Sequence, residues 1–344
     1  MSTKVKAALI GLVGVLVAGG AYFVLADKED IPLIGERFKP ATCPLTGEKP
    51  RNEDLIDRPA VAIKVENAPV AYPLSGLEDA DIVYEELVEG GVTRFMAIYH
   101  CGDTSKAGPI RSARAVDPSI MIPTTRLLAF SGGNQGVLDD LAENEIVQID
   151  ENRAGGAMQR VPREGLATEH TLYGDSSKLR RVGQEDFGDA PPGGLEFGDF
   201  EGNGQTKAAR NVTIEFSEAT TVNYEFNGER YARFQQGGPF QSEGHGQIGV
   251  ENVIVEEHTV NLSDTVDITG TPSIEIADET GSGRATLFRD GRAIQGTWER
   301  DSIDDVVTFK TRSGDDMVLA PGAVWIHLVP NSKSEVEGSF DFGN

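Results

Sequence analysis

Cysteine is scarce in this 344-residue chain, which holds only Cys43 and Cys101. Two thiols are too few for a cysteine-based zinc site or for a disulfide-built scaffold. Basic residues are also short: 31 Lys and Arg stand against 55 Asp and Glu, a formal net charge of -24. Phosphate-backbone affinity comes from clustered Lys and Arg, so the imbalance argues against a nucleic-acid partner. It argues equally against docking on anionic lipid through a basic patch. What is present fits a globular protein, with 39% hydrophobic and 25% charged residues. Forty glycines and 17 prolines point to many turns and a β-rich chain. At roughly 100–200 residues per domain, the length suggests two domains.

Long apolar runs are missing too, with one exception at the amino terminus. The twenty residues from Ala7 to Ala26 carry no charge. As a helix they would span about 30 Å, the thickness of a bilayer's hydrocarbon core. Lys4 and Lys6 precede the run and Asp27, Lys28, Glu29 and Asp30 follow it. The positive-inside rule therefore predicts that residues 1–6 are cytoplasmic, 7–26 form a transmembrane anchor, and 27–344 lie outside the membrane. Val24 and Ala26 also suit a signal-peptidase cut after Ala26, which would release the protein instead. Cys43 lies too far downstream to accept a lipid. Both cysteines fall on the exported side, where a Cys43–Cys101 disulfide would stabilise the fold by roughly 4 kcal/mol. The alternative is two separate buried thiols.

Pattern along the chain predicts an α+β protein. Residues 27–57, with four prolines, read as an arm that begins to pack near Cys43-Pro44-Leu45. Residues 58–185 read as a mixed α/β domain. Its strands are expected at 60–65, 81–89, 92–100, 126–130 and 145–150, with a helix at 136–144. The Gly- and Pro-rich stretch 186–207 reads as a linker. Residues 208–331 form eight β-type runs separated by turns such as Asn227-Gly228 and Asp290-Gly291, predicting a mostly antiparallel sandwich or open barrel. Residues 332–344 read as a loose tail.

Four places carry chemistry. A two-residue Gly90-Gly91 turn would place Glu89 opposite Val92 and Glu85 opposite Met96, putting Glu85, Glu89 and Arg94 on one face. Such a set could run acid–base chemistry or bind a ligand, and it equally describes a cross-strand ion-pair cluster. In Gly108-Pro109-Ile110-Arg111-Ser112-Ala113-Arg114, a helix starting there would bring Arg111 and Arg114 to one side as an anion grip. Those arginines would otherwise neutralise the protein's own acids. Ser131-Gly132-Gly133-Asn134-Gln135-Gly136, between a strand and a helix, offers backbone amides and Asn134 to an anion, or is simply a tight turn. His170, in a polar, turn-like stretch, is a candidate general base or ligand. His258 and His327 fall in β-runs and read as structural.

The stretches Arg58–Ala62, Glu66-Asn67, Ser75–Leu77, Ala80–Glu85, Val88–Phe95, Gly108–Arg114 and Glu169–Tyr173 resemble the amino-terminal domain of the YerB-like bacterial envelope proteins. Arg233–Gln235, Gly238–Phe240, Asn252–Val255 and Pro321–Ile326 are similar to that family's carboxy-terminal domain. The resemblance covers most of residues 58–330. It implies a two-domain protein on the outer side of a bacterial cytoplasmic membrane, in a family without an assigned reaction. Many members are lipoproteins, and this chain departs from them by lacking the lipid-accepting cysteine. Thr171 follows His170 where members often show a His-Asn pair. The order of elements is also similar to that of the LytR–CpsA–Psr glycopolymer transferases. That likeness implies arginines gripping a lipid-linked pyrophosphate, with Arg94, Arg111 and Arg114 as the clamp and Glu85 on a divalent metal.

The expectation is a non-enzymatic, membrane-held envelope protein that presents its domains to a wall polymer or protein partner, with no evident cofactor. The runner-up is an enzyme on a phosphorylated or glycan substrate. It would use the arginine clamp, Glu85 or Glu89 as acid–base group or metal ligand, and His170 as base, and it alone would call for a divalent metal.

Overall fold

Continuous apolar runs and alternating runs are sorted by the fold into two sheets. In this computed structural model, which describes residues 42–199, 206–266 and 270–344, the first segment supplies five strands of the larger sheet. They are β1 (Val61–Glu66), β2 (Ile82–Leu87), β3 (Thr93–Tyr99), β4 (Leu127–Ala129) and β5 (Val147–Ile149). Every residue of β1 and β2 is buried, because both faces of the sheet are covered there.

The larger sheet has eleven strands and does not stop at the expected linker. Its order is Thr308–Thr311, Arg292–Arg300, Gly281–Arg289, Asn252–His258, Val324–Pro330, β2, β3, β1, β4, β5, with Thr206–Ala208 beside Arg292–Arg300. The joint is Val324–Pro330, which runs parallel to both β2 and Asn252–His258. Residues 186–207 therefore do not divide the chain into separate cores, and a piece of that segment, Glu196–Phe197, is itself a short strand against Val318–Leu319. A self-contained carboxy-terminal sandwich or barrel is not what forms.

The second, six-stranded sheet is antiparallel and includes Asn211–Ser217, Thr220–Phe226, Tyr231–Gln235 and Ser339–Gly343. Its strands alternate buried and exposed residues, as one-sided packing requires. Val212, Ile214, Phe216, Val222 and Tyr224 pack on Val83, Phe95, Val253, Phe288 and Trp325 of the larger sheet. Each fully buried aliphatic or Phe side chain in this layer stabilises by about 1.5–3 kcal/mol. The segment expected to be a loose tail pairs with Asn211–Ser217 along its whole strand, and its alternating Phe340 and Phe342 pack against the same core. The opposite face of the larger sheet, with Ala62, Met96 and Ile98, is covered by Ile120 and Met121 of helix Asp117–Met121 and by Val137 and Leu141 of helix Gln135–Glu143.

Cys43 and Cys101 are bonded, closing a sequence separation of 58 with a Cα–Cα distance of 6.1 Å. Cys43, Leu45 and Thr46 are buried, so the chain is fixed to the core from this point on. The expected anchor at 7–26 lies outside the described residues. Among the described residues no helix is long and apolar enough to cross a membrane.

One register differs from expectation, with consequences for the site. The β2–β3 connection is not a two-residue turn: Val88 N donates to Val92 O around a three-residue loop, Glu89–Gly91, with Gly90 and Gly91 both at positive φ. The odd loop shifts the pairing by one, so Glu85 faces Phe95 and Glu86 faces Arg94. A one-residue slip sends side chains to the other side of a sheet. Glu85 and Arg94 therefore lie on opposite faces, and the expected Glu85–Glu89–Arg94 grouping does not form.

Candidate functional site

No helix starts within the arginine motif. Gly108–Arg114 runs extended along β1, with Pro109 O accepting from Glu66 N at 3.0 Å and Arg111 N donating to Lys64 O at 2.9 Å. The helix begins only at Asp117. The two arginines converge for a different reason. Ala113 N donates to Gly132 O at 2.9 Å, while Asp117 accepts from Arg114 N at 2.7 Å, and together these bend the chain back over β3.

The side chains meet at the carbonyl of Ser112. Arg94 Nη1 donates to it at 3.0 Å and Arg114 Nη1 approaches it at 3.4 Å. Arg114 also grips Glu89 Oε2 through Nε at 2.9 Å and Nη2 at 2.6 Å. Arg111 Nε stands 3.7 Å from Glu66, and the same carboxylate holds His170 Nδ1 at 2.7 Å. Arg94, unlike its neighbours, forms no ion pair among the described residues, although its side chain is only half-exposed. Beneath them, Lys64 is fully buried and bonded to both Glu86 and Asp117. Thus Arg94, Arg111, Ser112, Arg114, Glu89 and His170 form one cluster at an edge of the larger sheet's helical face.

Burial and neighbouring charge both act on the cluster. Burial pushes the Arg94 guanidinium down to about 10, Arg114 and Arg111 push in the same direction by repulsion, and the Glu89 and Glu86 carboxylates oppose them. Burial raises the Glu66 carboxyl despite His170 and Arg111. Burial also raises Glu86, to about 7, and the nearby Asp117 adds to this while Lys64 opposes it. Burial would raise Glu89 as well, but Arg114 outweighs it and holds that carboxyl below its ordinary range. A buried oxygen, Glu86 Oε2, has no hydrogen-bond partner.

Glu85 is elsewhere. It is fully buried under the six-stranded sheet, where Arg233 donates to it at 2.9 and 3.1 Å and Thr93 and Asn67 at 2.7 and 3.1 Å. His327 Nδ1 stands 3.0 Å away, and the rings of Phe95, Phe240, Trp325 and Tyr224 surround the guanidinium at 4.7–5.6 Å. Burial opposes the Glu85 charge, yet Arg233 and His327 hold the carboxyl down at about 2. This sealed group has no route to a substrate. Asn134 is also occupied: its side chain accepts from Val137 N at 2.8 Å and caps helix Gln135–Glu143. His258 is held between Glu256 and Asp278 and stacked on Trp298. Among the described residues, no group of three or more His, Cys, Asp or Glu side chains is placed to hold a metal ion.

Sequence reasoning missed Lys64, Glu66, Glu86, Asp117 and Arg233. Lys64 had a visible signal, a lone lysine inside the apolar run 60–65. Glu66 and Arg233 stood in stretches of family resemblance, but their pairings could not be read locally, since partners lie as far off as 148 positions, as between Glu85 and Arg233.

This architecture matches a solved one. The crystal structure of YerB protein from Bacillus subtilis superposes with a TM-score of 0.73, covering 88% of this chain and 99% of that one at 23% identity, which shows a shared fold. The chain belongs to the DUF3048 family of proteins of unknown function. The amino-terminal domain model matches residues 45–188 and the carboxy-terminal model residues 212–326. The curated "Putative lipoprotein YerB" of Bacillus subtilis (strain 168) is 25% identical over 329 residues, 90% of this chain and 92% of its own length. The family models divide the chain near the expected linker, while the larger sheet runs through both halves.

Proposed function

We propose that this chain is an extracytoplasmic envelope protein, held at the cytoplasmic membrane by residues 7–26, that binds an anionic partner through Arg94, Arg111 and Arg114. The partner is a wall polymer or envelope protein that carries phosphate or carboxylate groups. The carrying observation is Arg94, a half-buried guanidinium that forms no ion pair among the described residues and is crowded by two others. Guanidinium groups grip planar oxyanions through paired hydrogen bonds, and a ligand oxyanion would relieve the repulsion among them. The membrane placement is supported by the uncharged amino-terminal run, the lipoprotein name of the relative, and a disulfide suited to an oxidising compartment. Calorimetric titration of the full-length protein with inorganic pyrophosphate should give saturable binding that Arg94→Ala weakens by about tenfold or more. Equal affinity in that variant would defeat the reading.

One observation favours the enzymatic alternative. Glu66 holds His170 through Nδ1, and Nε2 has no protein partner among the described residues. A histidine oriented by a carboxylate beside an arginine grip is the geometry of a general base on an anionic substrate. Cleavage of a p-nitrophenyl phosphodiester that His170→Ala abolishes, with pyrophosphate affinity retained, would establish it. No turnover in the native protein would leave the binding reading alone.

A further inference from the structure

A large cavity among the described residues lies away from the arginine cluster. It is a cleft of about 1620 Å³ where the two sheets diverge, reaching from Lys310 on the outer strand to Asn331 and Phe342. Pockets for small organic ligands usually enclose about 300–1,000 Å³, so this one suits an oligomer.

The pattern on its floor changes in one direction. Along one face of Gly281–Arg289, Phe288 belongs to the core, Thr286 enters the cleft floor and Arg284 reaches its mouth. The neighbouring strand repeats this: Ala293 is core, and Gln295 and Thr297, paired with Thr286 and Arg284, line the cleft. Hydroxyl and amide groups thus replace apolar ones on the same face where the six-stranded sheet ceases to cover it. Opposite stand Phe340 and Phe342, half-exposed, nearly parallel and with ring centroids 6.4 Å apart.

We infer that this cleft binds an uncharged glycan chain of several sugar units. Hydroxyls and amides both donate and accept, as sugar hydroxyls require. Half-exposed phenylalanine rings offer flat apolar faces to pyranose C–H groups. A polyanion is disfavoured by the surrounding acids Glu215, Glu218, Glu299 and Glu337, while Arg284 is held by Glu257, Lys310 by Asp316, and Arg312 donates to Gln295 on the floor at 3.0 Å. A peptide is disfavoured because Thr286, Gln295 and Thr297 of the floor put polar groups where an apolar anchor would seat. The site is independent of the arginine cluster.

The experiment is calorimetric titration of the full-length protein with N-acetylglucosamine oligomers of increasing length. Affinity should rise by about tenfold or more from the single sugar to the longest oligomer, as subsites fill. Thr297→Trp, which fills the floor, should weaken binding of the longest oligomer by a similar factor with the melting temperature retained. Gln295→Ala should weaken it less. Saturating inorganic phosphate should not compete. Absence of binding, equal affinity in Thr297→Trp, competition by phosphate, or tighter binding of an anionic uronic-acid oligomer or an unstructured peptide would each overturn the assignment.

Discussion

Glu85 and Glu86 are neighbours on β2, facing opposite sides of one sheet, and they show how burial and access separate structure from chemistry. On Glu85's side, every partner is enclosed: Arg233 is fully buried and caged by aromatic rings. On Glu86's side, the buried Lys64–Asp117 pair supports arginines that reach the surface, and one of these forms no ion pair among the described residues. The residue types are the same. A closed pair fixes the packing of two sheets, and an open one carries guanidinium groups to the surface.

The sharpest way to break this contrast is Arg233→Ala. It would strand the Glu85 carboxylate in the core and should destabilise the protein by about 3–5 kcal/mol in chemical denaturation. The double variant Arg233→Met with Glu85→Gln should recover much of that loss. No recovery would mean that the aromatic cage, not the charge pair, carries the energy.

Titration should separate the two glutamates next. The Glu85 carboxyl is lowered to about 2, so its stabilisation is present above the unfolded value of 4.5 and is lost as pH falls toward 2. By linkage that loss amounts to about 3 kcal/mol. Glu86 is raised to about 7, so the folded state holds a proton the unfolded chain has released. Stability should therefore fall as pH rises from about 4.5 through 7. Denaturation across pH 2–9 should show both limbs, with Glu86→Gln flattening part of the neutral one only, because Asp81, raised by burial to about 6, contributes there too.

Smaller effects probe the margin of the cluster. Asn134→Ala removes a helix cap and should cost about 1 kcal/mol of stability, with pyrophosphate affinity unchanged. A loss of affinity would return the glycine-rich turn to the site. Arg94→Ala should shift stability by only about 1 kcal/mol, because it breaks the bond to the Ser112 carbonyl and no ion pair. Its effect belongs in the binding isotherm, and a large melting shift would place Arg94 with Arg233 as a structural cation.

The elements themselves were readable. The predicted strands at 60–65, 126–130 and 145–150 and the helix at 136–144 meet the observed Val61–Glu66, Leu127–Ala129, Val147–Ile149 and Gln135–Glu143 within a few residues. Local periodicity suffices for that. The arginines and His170 were also visible as clustered cations in an acidic chain. Two things were not. Pairing register depended on whether the glycine turn held two residues or three, and parity alone decided which glutamate faced Arg94. The insertion of Val324–Pro330 beside β2 joins positions about 240 apart, which no local pattern encodes.

The disulfide has a mechanical meaning beyond its effect on chain entropy. Cys101 stands two residues past the end of β3, a strand paired on both sides within the larger sheet. Tension applied anywhere upstream of Cys43 enters that sheet through a covalent bond, without first peeling away residues 44–60. A pull on the amino-terminal side would thus be borne along the stiffest layer, and cutting that bond would release residues 44–60 before any strand gave way.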